Sequence, residues 1–142
     1  MSQESATPDP VELTRRAYEY ASDRNWDALL SFYGADSVWD MSPLGLGTYE
    51  GPAAIRRFFE EWTGSYDKWE QELEEILDLG NGVVVSVLRQ NARLPGSTGS
   101  ISLLYAGVLV WREGLIARLT NYTNVDEARA AAERLAESSA DG

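Results

Sequence analysis

Apolar residues recur at helical spacing in the first half of this chain and run almost unbroken in the second. Leu13, Ala17, Tyr20 and Ala21 mark one amphipathic helix, opened by Asp9 as N-cap, Pro10 at the first position and Glu12 as its capping-box partner. Asn25 caps a short second helix with Trp26, Leu29, Leu30 and Tyr33 inward, and Gly34 ends it. Asp36 to Asp40 reads as a short strand, and Leu44 to Thr48 as a turn carrying two glycines. A second short strand follows, and Gly51-Pro52 opens a third helix with the stripe Ile55, Phe58, Phe59 and Trp62, stopped by Gly64.

Beyond residue 80 the period changes. Val83 to Leu94 is Val-rich and ends in a hairpin loop, Pro95-Gly96-Ser97-Thr98-Gly99. Ile101 to Trp111 is a second long strand. Arg112-Glu113-Gly114 is a tight turn into a third, Leu115 to Thr123. Such strands imply an antiparallel sheet with little solvent on either face. Asp126 to Ala136 is Ala-rich and helical. Trp69 to Leu79 is ambiguous, because Trp69, Leu73, Ile76 and Leu77 fit a helical stripe. The expected organisation is a disordered N-terminus at 1–8, one domain at 9–137 and a loose tail at 138–142.

Composition narrows the chemistry. The 142 residues are one domain's worth, and 44% are apolar. With 12 basic and 23 acidic residues the formal net charge is −11, a field that repels phosphate backbones and anionic lipid heads. Neither nucleic acid nor a membrane is an expected partner. No apolar run approaches the roughly 18 residues that span a bilayer, and the start M-S-Q-E-S-A-T-P-D-P has no signal-peptide character. A cytoplasmic location is expected. The chain has no cysteine and no histidine, so thiolate nucleophiles, His-based triads and His-ligated metals are excluded. Acid–base work falls to Asp, Glu, Tyr, Lys or Arg.

Three segments carry a resemblance: G-T-Y-E-G-P-A-A-I-R-R-F-F-E-E-W (Gly47 to Trp62), the pair Arg89-Gln90, and W-R-E-G-L-I-A-R-L-T-N-Y (Trp111 to Tyr122). Together they resemble the SnoaL-like branch of the nuclear transport factor 2-like superfamily, over about Val11 to Ala132. That resemblance implies an α+β cone: a curved antiparallel sheet wrapped around N-terminal helices, enclosing one apolar pocket. It makes Trp69 to Leu79 a strand. It also implies a homodimer, with a second subunit covering the outer face of the sheet.

The resemblance bears on single residues too. V-W-D-M sets Asp40 where ketosteroid isomerases keep their general base, at the end of the first strand. The positions of that enzyme's two oxyanion donors hold Ala17 and Gly107, with Tyr18 or Tyr105 as the nearest substitutes. L-T-N-Y-T-N sets Asn121 where limonene epoxide hydrolase has its water-activating Asp. The polyketide cyclases of the group use an acidic pocket residue for proton transfer in ring closure.

Each candidate has a plainer reading. Asp40 is either a base with its pKa raised by an apolar pocket of Trp39, Phe58 and Trp62, or a cap of the turn at Ser42. Arg89 either anchors a ligand or pairs with Glu72 or Glu74 across the sheet. Asn121 either orients a ligand carbonyl or bonds a polar neighbour. Tyr18, Phe58, Trp62, Tyr105 and Leu119 either line a site for a flat ligand or are core. The acidic run Glu70 to Glu75 reads as a solvated face rather than a metal site. Two functions remain. One is a cofactor-independent isomerase, cyclase or dehydratase using Asp40 on a small apolar or aromatic carbonyl compound. The other is a non-catalytic ligand-binding or dimerisation module.

Overall fold

A computed structural model describes residues 9–64, 68–93, 95–96 and 99–141. The expected disorder at 1–8, and Leu94, Ser97 and Thr98 of the hairpin, lie outside them. Four α-helices and six strands follow in chain order: α1 (Pro10–Ser22), α2 (Trp26–Leu30), β1 (Tyr33–Asp40), β2 (Thr48–Glu50), α3 (Pro52–Gly64), β3 (Lys68–Gly80), β4 (Val83–Arg93), β5 (Ile101–Arg112), β6 (Leu115–Tyr122) and α4 (Val125–Asp141). The class is α+β, as expected.

The helix starts form as their capping residues dictate. The Asp9 carboxylate accepts from Val11 N at 3.0 Å, and Asn25 Oδ1 from Ala28 N at 3.3 Å. Glu12 bonds Arg16 one turn on, at 3.3 Å, in place of the expected capping box. Tyr33 and Gly34 belong to β1 rather than to the second helix. The phenol ring of Tyr33 is buried there, where a β-branched or aromatic residue suits a pleated surface.

The strand order is β2-β1-β6-β5-β4-β3. All pairings are antiparallel except β1 with β6, which run parallel with Trp39 opposite Leu119. The sheet is therefore mixed, not wholly antiparallel. The β4–β5–β6 meander fixes the direction of β6, and this last strand lies with its free edge along β1, which comes from early in the chain.

β3 is a strand, and its ambiguity has a physical cause. Trp69, Gln71 and Leu73 point inward in period two, while Glu70, Glu72 and Glu74 point out. A register shift between Leu73 and Glu75 then reverses the phase, so Ile76 is inward as well. A bulge thus converts a strand pattern into an apparent helical stripe.

The sheet has a helical layer on each face. On the inner face α1, α2 and α3 pack with Trp39, Val84, Leu109, Ile116 and Leu119 into the main core. On the outer face Ala128, Ala132 and Ala136 of α4 pack on Val83, Val85, Ala106 and Val108. The three alanines let the helix axis approach closely, and Arg129 ties α4 to Glu75 through both carboxylate oxygens at 3.0 Å. The cover expected from a second subunit comes from the chain's own C-terminal helix over this half of the sheet. That helix continues to Asp141, through the tail expected to be loose.

Candidate functional site

Between the inner helices and the sheet lies an apolar cavity. α1 contributes Ala17, Tyr18 and Ala21; the far wall is Trp39, Leu109, Ile116 and Leu119; Phe59 and Trp62 close one side. Its polar groups are Tyr18, Tyr33, Gln71, Tyr105 and Asn121. No carboxylate, lysine or arginine lines it among the described residues. The room left for water centres is about 20 Å³, the space of one or two waters.

Trp39 sits at the middle of this wall, 2% exposed. It stacks on Phe59 at 4.4 Å and meets Phe58 edge-on at 5.1 Å. Its indole N–H donates to Asn121 Oδ1 at 2.5 Å, and Asn121 Nδ2 reaches the Ala106 carbonyl at 3.5 Å. The Tyr18 hydroxyl shares a 2.7 Å hydrogen bond with Ser86 Oγ. Burial pushes this phenol up to about 12, and the Ser86 bond offsets only part of that. Burial, reinforced by Tyr18, raises Tyr105 well above the ordinary phenol value although Gln71 Nε2 donates to its hydroxyl. Burial raises Tyr33 likewise. All three phenols are protonated hydrogen-bonding groups at neutral pH.

The expected site residues divide by strand phase. Tyr18, Trp62, Tyr105, Leu119 and Asn121 meet at the cavity. Phe58 stands one layer behind, between Trp39 and Tyr49. Arg89 and Asp40 are on the other face, because successive strand residues point to opposite sides. Leu88 and Gln90 are inward, so Arg89 is outward; it bonds Glu74 at 2.8 Å and Ser102 at 3.2 Å. Trp39 is inward, so Asp40 is outward.

Asp40 has a complete set of partners there. Its carboxylate accepts from Ser42 N at 2.9 Å, Thr48 Oγ1 at 3.2 Å and Arg118 at 2.8 Å. Burial is the largest single influence and raises its pKa. The hydrogen bonds from Ser42 and Arg118, with the Arg118 charge, together outweigh it and hold the carboxyl below its ordinary value. The expectation of a raised pKa in an apolar pocket is thus corrected: a cation and a turn share this carboxylate.

Gly107, on β5, packs closely against Tyr18 and Leu119 of the cavity wall. A Cβ there would stand 3.0 Å from the Tyr18 hydroxyl, 3.1 Å from Ser86 Oγ and 3.2 Å from a Leu119 methyl. Of the two positions at which the resemblance seeks oxyanion donors, Ala17 lines the cavity and Gly107 packs against its lining residues Tyr18 and Leu119, and neither side chain supplies a donor. Sequence reasoning missed Gln71, the polar member of the inward Trp69, Gln71, Leu73 phase. A polar residue on the buried phase of a strand is the signal that marks it. No group of three acidic residues able to hold a metal is present among the described residues, and no helix of theirs is long and apolar enough to cross a membrane.

The SnoaL-like domain family model matches residues 14–119. The chain belongs to the SnoaL-like domain family. No curated protein matches its sequence significantly. Solved structures share the fold of this SnoaL-like chain. One is a protein with a ketosteroid isomerase-like fold from Catenulispora acidiphila, in complex with trimethylamine; it is 16% identical over 82% of this chain and 86% of that one, TM-score 0.71. TerC, co-crystallised with polyporic acid, is 20% identical over 87% and 98%, TM-score 0.71. A protein from Shewanella putrefaciens CN-32 proposed to be a SnoaL-like polyketide cyclase is 14% identical over 89% and 99%, TM-score 0.68. At such identities the likeness is one of fold.

Proposed function

We propose that this SnoaL-like protein binds a small, flat, apolar ligand in the inner cavity and orients it with neutral hydrogen-bond donors and acceptors. The observation that carries this reading is the lining: aromatic and aliphatic walls, with phenols and side-chain amides as its polar groups. Apolar walls with a few convergent polar groups are the usual make-up of a small-molecule site. Proton transfer by Asp40 has no support, since that carboxylate lies on the outer face and stays ionised against Arg118. The binding-module reading is therefore preferred to the isomerase or cyclase reading.

Trp39 and Trp62 border the cavity, so occupancy by a flat aromatic such as 2-naphthol will quench their fluorescence. Trp62→Ala and Tyr105→Ala will each weaken binding at least tenfold. Binding that survives both substitutions unchanged would place the site elsewhere.

A further inference from the structure

The cavity is too small for the ligand proposed for it, and the structure contains the means of enlarging it. Outside, between α1 and β3, lies a cleft of about 340 Å³ walled by Arg15, Glu19, Asp23 and Leu73. This cleft and the inner cavity have two residues in common, Tyr18 and Gln71. Tyr18 is pinned by Ser86 behind it. Gln71 is held by Tyr105 through its Nε2, while its Oε1 is buried with no hydrogen-bond partner. A buried amide oxygen without a partner is costly, so one end of this amide is poorly satisfied where it stands. Turning it outward breaks one side-chain hydrogen bond and merges the two spaces. The merged volume enters the lower part of the range for ligand sites, about 300–1,000 Å³.

The outer part has its own electrostatics. Glu19 and Asp23 outnumber Arg15 around the cleft, and the whole chain carries −11. Such a mouth disfavours anions on approach and at rest. The Gln71 oxygen adds an acceptor at the boundary. A donor group suits both carboxylates and the Gln71 oxygen. Among the charged groups of the cleft, a carboxylate suits only Arg15.

Resting on the pocket reading above, we infer that Gln71 is a movable partition between cavity and cleft, and that the ligand spanning both has an apolar ring inside and a neutral or cationic hydrogen-bond-donating head outside, with anionic heads rejected.

Three probes of one ring system separate the parts of this inference: 2-naphthylmethylamine, 2-naphthylmethanol and 2-naphthylacetate, followed by stopped-flow Trp fluorescence. In the wild type, the amine and alcohol will bind at least tenfold more tightly than the acid at low salt. The gap between amine and acid will narrow in high salt. Gln71→Ala, and Tyr105→Phe as the variant that keeps the ring but frees the amide, will raise the association rate several-fold, with melting temperature reporting that both are folded. If both variants bind at the wild-type rate, the partition is wrong while the pocket stands. If the acid binds as well as the amine at low salt, the head-group selection is wrong. If no probe binds any folded form, the pocket reading itself falls, and this inference with it.

Discussion

The indole N–H of Trp39 and the Oδ1 of Asn121 are joined by a 2.5 Å hydrogen bond between residues 82 apart in sequence. Both groups are buried. The amide oxygen accepts a donor that would otherwise be orphaned in apolar surroundings, and the amide nitrogen points back to the Ala106 carbonyl. The position therefore needs a neutral side chain with both an acceptor and a donor.

Asn121→Asp will put a carboxylate in that place. Desolvation raises its folded pKa above an unfolded value of about 3.9. The sign follows: the variant's stability relative to wild type is best below the unfolded pKa, falls as pH rises through the folded pKa, and then levels off. At pH 7 the loss will be about 1–3 kcal/mol. Thermal melts from pH 5 to pH 8 measure it, and a difference that does not vary with pH would show the carboxylate to be solvated.

Asp40 behaves in the opposite sense. Its folded pKa is depressed, so it contributes stability above its unfolded pKa and loses it as pH falls through the folded one. Asp40→Asn keeps an acceptor for Ser42 N but removes the ion pair to Arg118, which is itself half-exposed. The variant will melt lower at pH 7, by about 0.5–1 kcal/mol, and the deficit will shrink in acid and in high salt. A higher melting temperature at pH 7 would mean that the native carboxylate is unfavourably placed. Ligand binding will not change.

The outer helix gives a third test. Ala132 is fully buried in the α4 seam, whereas Ala130 two residues before it is exposed. Ala132→Leu will force the helix off the sheet and cost about 1–3 kcal/mol. Ala130→Leu will stay within about 0.5 kcal/mol of wild type. Equal melting temperatures for the two variants would mean that α4 is not seated on the Val83, Val85 face.

Local signals carried far along this chain. Asp9, Asn25 and Gly51-Pro52 mark helix starts because capping needs only neighbouring residues. The β4–β5–β6 meander is legible because short turns such as Glu113-Gly114, both at positive φ, force adjacent antiparallel strands. What was not legible depends on phase and on distant pairing. Trp39 and Asp40 are neighbours on β1, and strand alternation puts their side chains on opposite faces. The parallel β1–β6 pair leaves no local mark, and the bulge in β3 disguised its period. The pocket's Trp62, Tyr105, Leu119 and Asn121 follow from inward phase, and Gln71 follows from the inward phase of β3.

The parallel pairing of β1 with β6 also sets an order of events during synthesis. Trp39 is made early, but the Asn121 that accepts its N–H, on its parallel neighbour β6, follows 82 residues later. At about 5–20 residues per second, that is a wait of roughly 4–16 s. For that interval this buried indole has only the elements made before β6 to shelter it. The cluster of Phe58, Phe59 and Trp62 around its ring is the nearest cover the nascent chain can offer before its last strand arrives.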